Sequence, residues 1–416
     1  MKRRVVVTGL GVVAPNGIGK DEFWDSLKEG KSGINKITRF DASTYSSQIA
    51  GEVDNFDPLD YMDPKTAKRM DRFSQFALAC AKMAMEDAEL KVNDNHNGNV
   101  GVVSGSALGG MPYAESQHAI FMEKGLRRID PLLATKLFPG EAASQISIQL
   151  NAKGPAYTVS TACASGLDAI GLAFSLIKNG TMDVVVVGGA EAPLAPLTFG
   201  AFCNVRALSK ANQNPQSACK PFDVERDGFV MSEGGGFMVL EELGHAVRRD
   251  ARIYAELMGF GATSDAYHMT KTNPEGSGAT SAINIALSEA NLDSLSIEYV
   301  NAHGSSTPQN DEVETVVIKK VFNDYAYKLP ISSNKSMTGH SLGAAGAIEV
   351  IASVLTIKNN FIPPTINYKH PDPQCDLNYV PNEGIEESVN TVLSNSFAFG
   401  SRNAALVIKK YNHNSF

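Results

Sequence analysis

The stretch VSTACASGLDAIG (159–171) sets a cysteine among small residues where a strand-like run gives way to a helical pattern. Leu167, Ile170, Phe174 and Ile177 recur at spacings of three and four, which predicts a helix with one apolar face. Lys178-Asn179-Gly180 supplies the stop signal. Ser160 and Thr161 are the expected N-caps, so Cys163 falls in the first turn. Free backbone N–H groups and the helix dipole there favour a thiolate, and the same groups could hold an oxyanion. The residue type alone leaves two readings open, a nucleophile or a small buried apolar residue, because free cysteines are often buried and inert.

Two further stretches carry groups that could serve a nucleophile. VNAHGSSTPQNDEVET (300–315) places His303 directly after a strand, in a loop of glycine, serine and threonine. SSNKSMTGHSLGAAG (332–346) places Lys335 and His340 just ahead of a helix of small residues. With Cys163 they could bring a thiolate and two imidazole donors to one pocket. A histidine at a strand end can equally be a hydrogen-bonded core residue. No metal-ligand spacing is present.

The elements that must hold these residues alternate. Short valine-rich runs, RVVVT (4–8), VGVVSG (100–105), DVVVVGG (183–189), GFMVLEE (236–242), YVNAHG (299–304) and AALVIKK (404–410), read as strands. Between them run helical patterns at 65–90, after Cys163, and at 341–358. That alternation predicts an α/β fold with largely buried sheets. TACASGLDAIGLA and TGHSLGAAGAIEVIA each put a small polar turn before a helix rich in alanine and glycine, a faint sign of duplication. VVVTGLGVVAPNG begins like a dinucleotide-binding strand, but the third glycine is absent and Pro15 intervenes, so that reading is rejected.

Composition narrows the class. The 416 residues are 43% hydrophobic and 20% charged, as in a globular protein with a substantial core. A formal net charge of −8 argues against general nucleic-acid binding. The five cysteines are scattered, with no CxxC pair, which fits a reducing cytoplasm rather than a disulfide framework or zinc site. The opening MKRRVVVTGLGVVAP loosely mimics a signal peptide, yet glycine and threonine interrupt its apolar run. AAGAIEVIASVLTI (344–357) is short for a membrane helix and carries Glu349, so no membrane association is expected.

Taken together, TACASG, NAHGSSTP and NKSMTGHSLGAAGAIE closely resemble the β-ketoacyl-acyl-carrier-protein synthases, especially the synthase II type. RRVVVTGLGVVAPNG, KRMDRFSQFAL, KPFDVERDGF and SDAYHMT extend the resemblance over essentially the whole chain. It implies a thiolase-type fold of five α-β-α-β-α layers in two similar halves. Residues 1–250 would carry the cysteine and 251–416 the histidines. It also implies an elongating acyltransferase. Cys163 would take an acyl chain, and malonyl-carrier protein would lose carbon dioxide and attack the thioester.

In that scheme His303 and His340 stabilise the enolate, with Lys335 supporting them and Glu349 as its acidic partner. Phe399 and Gly400 match the gating and oxyanion loop. Thr270, Ser305 and Thr307 match hydroxyls that bond the pantetheine arm or the malonyl group, and Leu108 matches a position near the floor of the acyl pocket. No cofactor is implied, since substrates ride on the phosphopantetheine of acyl carrier protein. Such carriers are acidic, so Lys65, Lys68, Arg69, Arg127, Arg128 and Arg206 form a candidate docking rim. Arg72, on the same predicted helix as Lys65, and Lys210 belong to the same basic clusters, whose alternative is an ordinary solvated face. A homodimer is expected, with a heterodimer with a related subunit as the alternative.

SFAFGSRNAALVI (396–408) departs from the usual glycine-rich loop at Ala398, Ser401 and Arg402, which puts substrate range in question. Three rivals share parts of the pattern: a polyketide or polyene ketosynthase, a non-catalytic partner subunit and a cysteine hydrolase.

Overall fold

The computed structural model describes residues 3–92 and 99–412. Ten strands of one mixed sheet carry the architecture: β1 (Val5–Ala14), β2 (Val100–Gly105), β3 (Ala156–Val159), β4 (Val184–Glu191), β5 (Gly234–Glu242), β6 (Ala255–Ser264), β7 (Tyr299–Asn301), β8 (Ile331–Ser332), β9 (Thr391–Ala398) and β10 (Arg402–Lys409). Their spatial order is β8-β7-β9-β10-β6-β1-β5-β4-β2-β3, with Gly17–Ile18 paired back onto β1. Read outward from the central β1–β6 pair, each half places its first, fifth, fourth, second and third strand in turn. The pairing senses repeat as well. β1–β5 and β5–β4 are antiparallel while β4–β2 and β2–β3 are parallel, and β6–β10, β10–β9, β9–β7 and β7–β8 follow suit. The faint duplication in sequence is a duplicated topology.

Six of the described helices build the layers and a seventh, α4, borders the pocket: α1 (Arg72–Asp87), α2 (Glu141–Leu150), α3 (Ser165–Lys178), α4 (Pro196–Asn204), α5 (Ser277–Ala290), α6 (Pro308–Phe322) and α7 (Ala345–Asn359). α1 and α2 cover the outer face of the first half's strands, and α5, with α6 packed on it, covers the second half's. α3 and α7 touch one another and lie between the two sets of strands, giving the α-β-α-β-α stack. Leu167, Ile170, Phe174 and Ile177 are at most 2% exposed, as their spacing predicted. Each contributes roughly 1.5–3 kcal/mol by leaving water.

Close approach of the two central helices explains their small residues. A Cβ on Gly166 would sit 2.9 Å from the Gly343 carbonyl oxygen and 3.0 Å from the Ala347 nitrogen. The helical segment Leu342–Asn359 is long and apolar enough to cross a membrane, but 89% of it is buried inside the protein. Its hydropathy serves the core.

Two local expectations fail. The pattern at 65–90 splits into Pro64–Arg69 and α1, because Met70 is extended and the Asp71 carboxylate accepts the Arg72 N–H as a new N-cap. The run at 4–8 continues to Ala14 as one buried strand, while the next helix (Lys20–Lys28) begins only after the Gly17–Ile18 return, in keeping with the rejected dinucleotide reading.

Candidate active site

Cys163 lies in a 3-10 turn, Ala162–Ala164, between β3 and α3. Neither Ser160 nor Thr161 caps α3. Instead the Ser165 hydroxyl accepts the Thr161 N–H at 2.8 Å and donates to the Ala162 carbonyl at 2.7 Å. The reason is the backbone: Ala162 takes φ +53, so the chain turns too sharply for an upstream side chain to reach the helix end. The Phe399 N–H and the cysteine's own N–H favour the charged form of the sulfur. Burial nevertheless pushes the thiol up to about 11, against the pull of Lys335 and the Phe399 N–H. The resting group is a thiol, and desolvation outweighs the helix end.

The two histidines meet edge to face, ring centroids 5.3 Å apart, and both are almost completely buried. Burial, and then the Lys335 charge, hold both imidazoles well below their ordinary pKa, so both are neutral near pH 7. The Lys335 ammonium bonds the His303 carbonyl at 2.6 Å and approaches His303 Nδ1 at 3.3 Å. An ammonium has only protons to give, so Nδ1 is the acceptor and Nε2 carries the hydrogen. Lys335 also pairs with Glu349. Burial raises the Glu349 carboxyl to about 7 while Lys335 opposes that rise.

Cys163, His303 and His340 line one pocket of about 390 Å³, together with Ser305, Thr307, Thr270, Arg206 and Phe399. Lys335 and Glu349 sit behind it. Ser305 and Thr307 share a hydroxyl bond of 2.8 Å, and Thr307 also caps α6 by accepting the Asn310 N–H. Leu108 belongs to the apolar cluster around Cys163 rather than to the open pocket. Lys65, Lys68, Arg69, Arg127, Arg128 and Arg206 are all exposed and form no ion pair with any described residue. Arg72 differs from its neighbours, since its guanidinium is bound to the buried Glu233 at 2.8 Å and is not available to a partner.

The turn from β9 to β10 is Phe399-Gly400-Ser401. The Gly400 N–H bonds the Met269 carbonyl at 2.7 Å. Ser401, at φ +62, accepts the Tyr267 and His268 N–H groups and donates to the His268 carbonyl at 2.8 Å. Arg402 donates to the Ser160 carbonyl at 3.1 Å. The turn is therefore tied both to the 264–271 loop and to the chain leading into Cys163.

Two positioning carboxylates escaped the sequence reading. Glu314 on α6 accepts the His303 and Gly304 N–H groups at 2.8 and 2.7 Å, fixing the histidine's backbone. Glu191, ending β4, accepts the Ala107, Leu108 and Gly343 N–H groups and the Ser106 hydroxyl. Burial raises each to about 7. A carboxylate continuing the valine run VVVVGGAE was the available signal for Glu191. Phe202, which walls the pocket with Phe229, Leu342 and Phe397, lies outside every quoted motif and had none.

The profile of the Beta-ketoacyl synthase, N-terminal domain, matches residues 2–246, and that of the C-terminal domain matches 254–369. The 3-oxoacyl-[acyl-carrier-protein] synthase 2 of Coxiella burnetii is 47% identical over 409 residues, covering 98% of this chain and 99% of that one. The Synechocystis protein of the same name is 46% identical over 410 residues, covering 99% of each chain. Among solved structures, a type II PKS acyl-carrier protein complex with its ketosynthase bound to the hexaketide includes a similar chain. It matches with TM-score 0.90 and 38% identity, covering 99% of this chain and 100% of that one. The ishigamide ketosynthase/chain length factor matches with TM-score 0.91 and 35% identity, again over 99% and 100%.

Proposed function

The chain belongs to the β-ketoacyl synthase family, and from that premise we propose that it extends acyl chains on a carrier protein by decarboxylative condensation. The observation that carries the reading is the meeting of Cys163, His303 and His340 on one pocket, with the Lys335–Glu349 pair behind them. The cysteine sulfur attacks the acyl thioester, its bond to the acyl carbon forming as the carrier's carbon–sulfur bond breaks. The thiol proton leaves with the pantetheine sulfur. Malonyl thioester then loses carbon dioxide. The electron pair of that bond becomes an enolate, whose oxygen the Nε2 hydrogens of His303 and His340 stabilise. Its carbon attacks the acyl group on Cys163, the N–H groups of Cys163 and Phe399 hold the tetrahedral oxygen, and collapse expels the sulfur as a thiolate, which takes a proton from water to restore the thiol. The product is two carbons longer.

Supporting roles follow the same geometry. Lys335 fixes the His303 tautomer, and Glu349 holds Lys335. Ser305, Thr307 and Thr270 bind the arm, Leu108 bounds the acyl end, and Phe399 with Gly400 forms the gate. The chemistry asks only for a thiol, imidazoles and backbone donors, so no cofactor is proposed. Residues 1–250 and 251–416 are taken as the two halves, supported by the repeated strand order.

The partners we propose are an acyl carrier protein, met by the exposed cations Lys65, Lys68, Arg69, Arg127, Arg128 and Arg206, and a second copy of the chain. β3 supports the latter: it is an edge strand whose Tyr157 is 46% exposed. The cytoplasm is the proposed compartment. Polyketide extension is the second reading, favoured by the likeness to type II polyketide ketosynthases. Intact mass after incubation with a panel of acyl-carrier proteins, followed by product analysis with malonyl-carrier protein, tests both. Repeated extension of an unreduced β-keto chain would favour the polyketide reading, and no acylation at Cys163 would overturn either.

A further inference from the structure

The two imidazoles are held by unlike means. His303 is fixed by charged side chains of its own half, since Glu314 accepts its N–H and Lys335 bonds its carbonyl. His340 is fixed by main chain from the other half. Its N–H bonds the Val230 carbonyl at 2.7 Å, and its carbonyl accepts the Ser232 N–H at 3.0 Å, a parallel bridge to the segment just ahead of β5. No described residue hydrogen-bonds its Nδ1, so this pairing, with the Phe229 ring edge-on at 5.1 Å, aims the imidazole.

The far side of that segment is held in turn. Gly51, ending the short strand Ile49–Gly51, donates to the Met231 carbonyl at 2.9 Å and accepts the Glu233 N–H at 3.0 Å. Residues 231–233 are thus the middle of three paired chains, with His340 on one side and Gly51 on the other. The glycine is needed there, because a Cβ would stand 2.6 Å from Ser232 Cβ and 2.9 Å from the Thr338 carbonyl oxygen. The same N-terminal excursion reaches the chain ahead of His340, where the Gly33 N–H bonds the Met337 carbonyl at 2.8 Å.

Glu233 locks the stack. It is 1% exposed and accepts two Arg72 N–H groups and one Arg39 N–H, each at 2.8 Å, and the Val53 N–H at 3.0 Å. Both guanidiniums also donate to the Val53 carbonyl, at 2.9 and 3.0 Å. Burial alone would raise this carboxyl, but the bonds and charge of Arg72, and then the charge of Arg39, hold it below its ordinary range. A buried ion group of this kind adds little net stability over apolar packing, and removing one partner strands the others.

We propose that Glu233 is a positioning residue for His340: the Arg39–Glu233–Arg72 clamp fixes the segment from which His340 hangs, and it serves carbon dioxide release more than acyl loading. This rests on the condensing reading given above. The thiol lies outside the stack, in a turn tied by the Ser165 hydroxyl, so loosening the clamp reaches the imidazole before the sulfur.

The test is the ratio of two rates in the full-length enzyme, carbon dioxide release from malonyl-carrier protein over single-turnover loading of Cys163 by acyl-carrier protein. Glu233→Gln keeps the shape and removes the charge. It should lower the ratio roughly ten- to hundredfold, because misplacing a reacting group by about 1 Å can cost about 10² in rate. The loss should fall on kcat rather than on KM for malonyl-carrier protein. Arg39, the exposed member of the clamp, gives a milder probe that leaves Arg72 in place. Arg39→Gln should lower the ratio roughly threefold, the effect of about one net hydrogen bond, and Arg39→Lys should recover most of it, since an ammonium still has protons for Glu233 and Val53. If Glu233→Gln does not fold, the Arg39 pair decides. An unchanged ratio, whether both rates hold or both fall together, would overturn the clamp while leaving the condensing function standing. If the wild-type enzyme releases no carbon dioxide from malonyl-carrier protein, the condensing reading itself fails and the clamp falls with it.

Discussion

The turns ahead of α3 and α7 are built alike and used differently. Ala162–Ala164 and Leu342–Ala344 are both 3-10 turns, entered through a residue at positive φ, Ala162 at +53 and Leu342 at +45. Superposing the two motifs by sequence sets Gly343 where the first half has Cys163. The first turn opens onto the pocket. The second lends Leu342 to the pocket wall but seals the next position: the Gly343 N–H bonds Glu191, and a Cβ there would meet the Ala107 nitrogen at 2.4 Å and Glu191 Oε2 at 2.5 Å. A strained turn at a helix start thus supplies a position, and what covers it decides whether that position does chemistry. The second half contributes its histidines from the loop after β7 and the segment before its own turn.

The sharpest way to break the comparison is to remove the thiol. Cys163→Ala should abolish acyl-enzyme formation entirely, because no other pocket residue can form the thioester. Intact mass after incubation with acyl-carrier protein is the readout, and adding Gly343→Cys should restore nothing. An acylated species in either variant would place the nucleophile elsewhere. Carbon dioxide release from malonyl-carrier protein should survive, since it uses the histidines.

Next in size is the loss of either imidazole. His303→Ala and His340→Ala should each slow carbon dioxide release by roughly 10²–10³, the usual cost of one oxyanion donor. Because burial lowers both histidine pKa values, each is already neutral where a free imidazole titrates. The wild-type release rate should therefore stay level as pH falls from about 8 through the ordinary histidine pKa near 6.5. A half-maximal loss near pH 6.5 that persists in Glu349→Gln would show imidazoles that are not held neutral, since the Glu349 carboxyl, raised to about 7, titrates in the same window.

The sealed turn should report on stability instead. Gly343→Ala forces a methyl group against backbone and carboxylate, which typically costs about 1–3 kcal/mol. Cys163→Ala keeps its own turn intact and should cost less. Urea midpoints of the two variants measure the contrast, and equal midpoints would mean that the second turn is not sealed.

How far these features could be read beforehand depended on whether the cause was local. VGVVSG gave a strand with the bounds found, because a valine run between turns has no competing period. TACASG and TGHSLGAAG marked both turns, since small residues before a helix signal close packing. The positive φ of Ala162 had no glycine to announce it, and it displaced the expected caps. Glu191 acts on backbone far away in sequence and Glu314 on the loop ahead of its own helix, and no spacing rule links a carboxylate to such partners. The break at Met70–Asp71 turned on one capping aspartate inside an unbroken helical pattern.

The smallest effect tests a second contrast between the halves. The link from β4 to β5 (192–233) is long and delivers Phe202, Arg206 and Phe229 to the pocket, whereas β9 to β10 is the short turn 399–401 bearing Phe399. A short turn has few ways to move, and here Ser401 restricts it further. Its left-handed φ costs about 1–2 kcal/mol relative to glycine, which its three hydrogen bonds to the 264–271 loop offset. Arg402 adds a tether to Ser160. Replacing both, Ser401→Gly/Arg402→Thr, removes the side-chain ties to the loop and to the cysteine's approach and leaves only backbone bonds such as Gly400 N–H to the Met269 carbonyl, so Phe399 should swing more freely. Pre-steady-state loading of Cys163 should speed up roughly two- to fivefold, equivalent to about one net hydrogen bond, with the largest gain for the bulkiest chains. Rates and chain preference identical to wild type would show that the turn is held by its surroundings and that Ser401 and Arg402 play no part in gating.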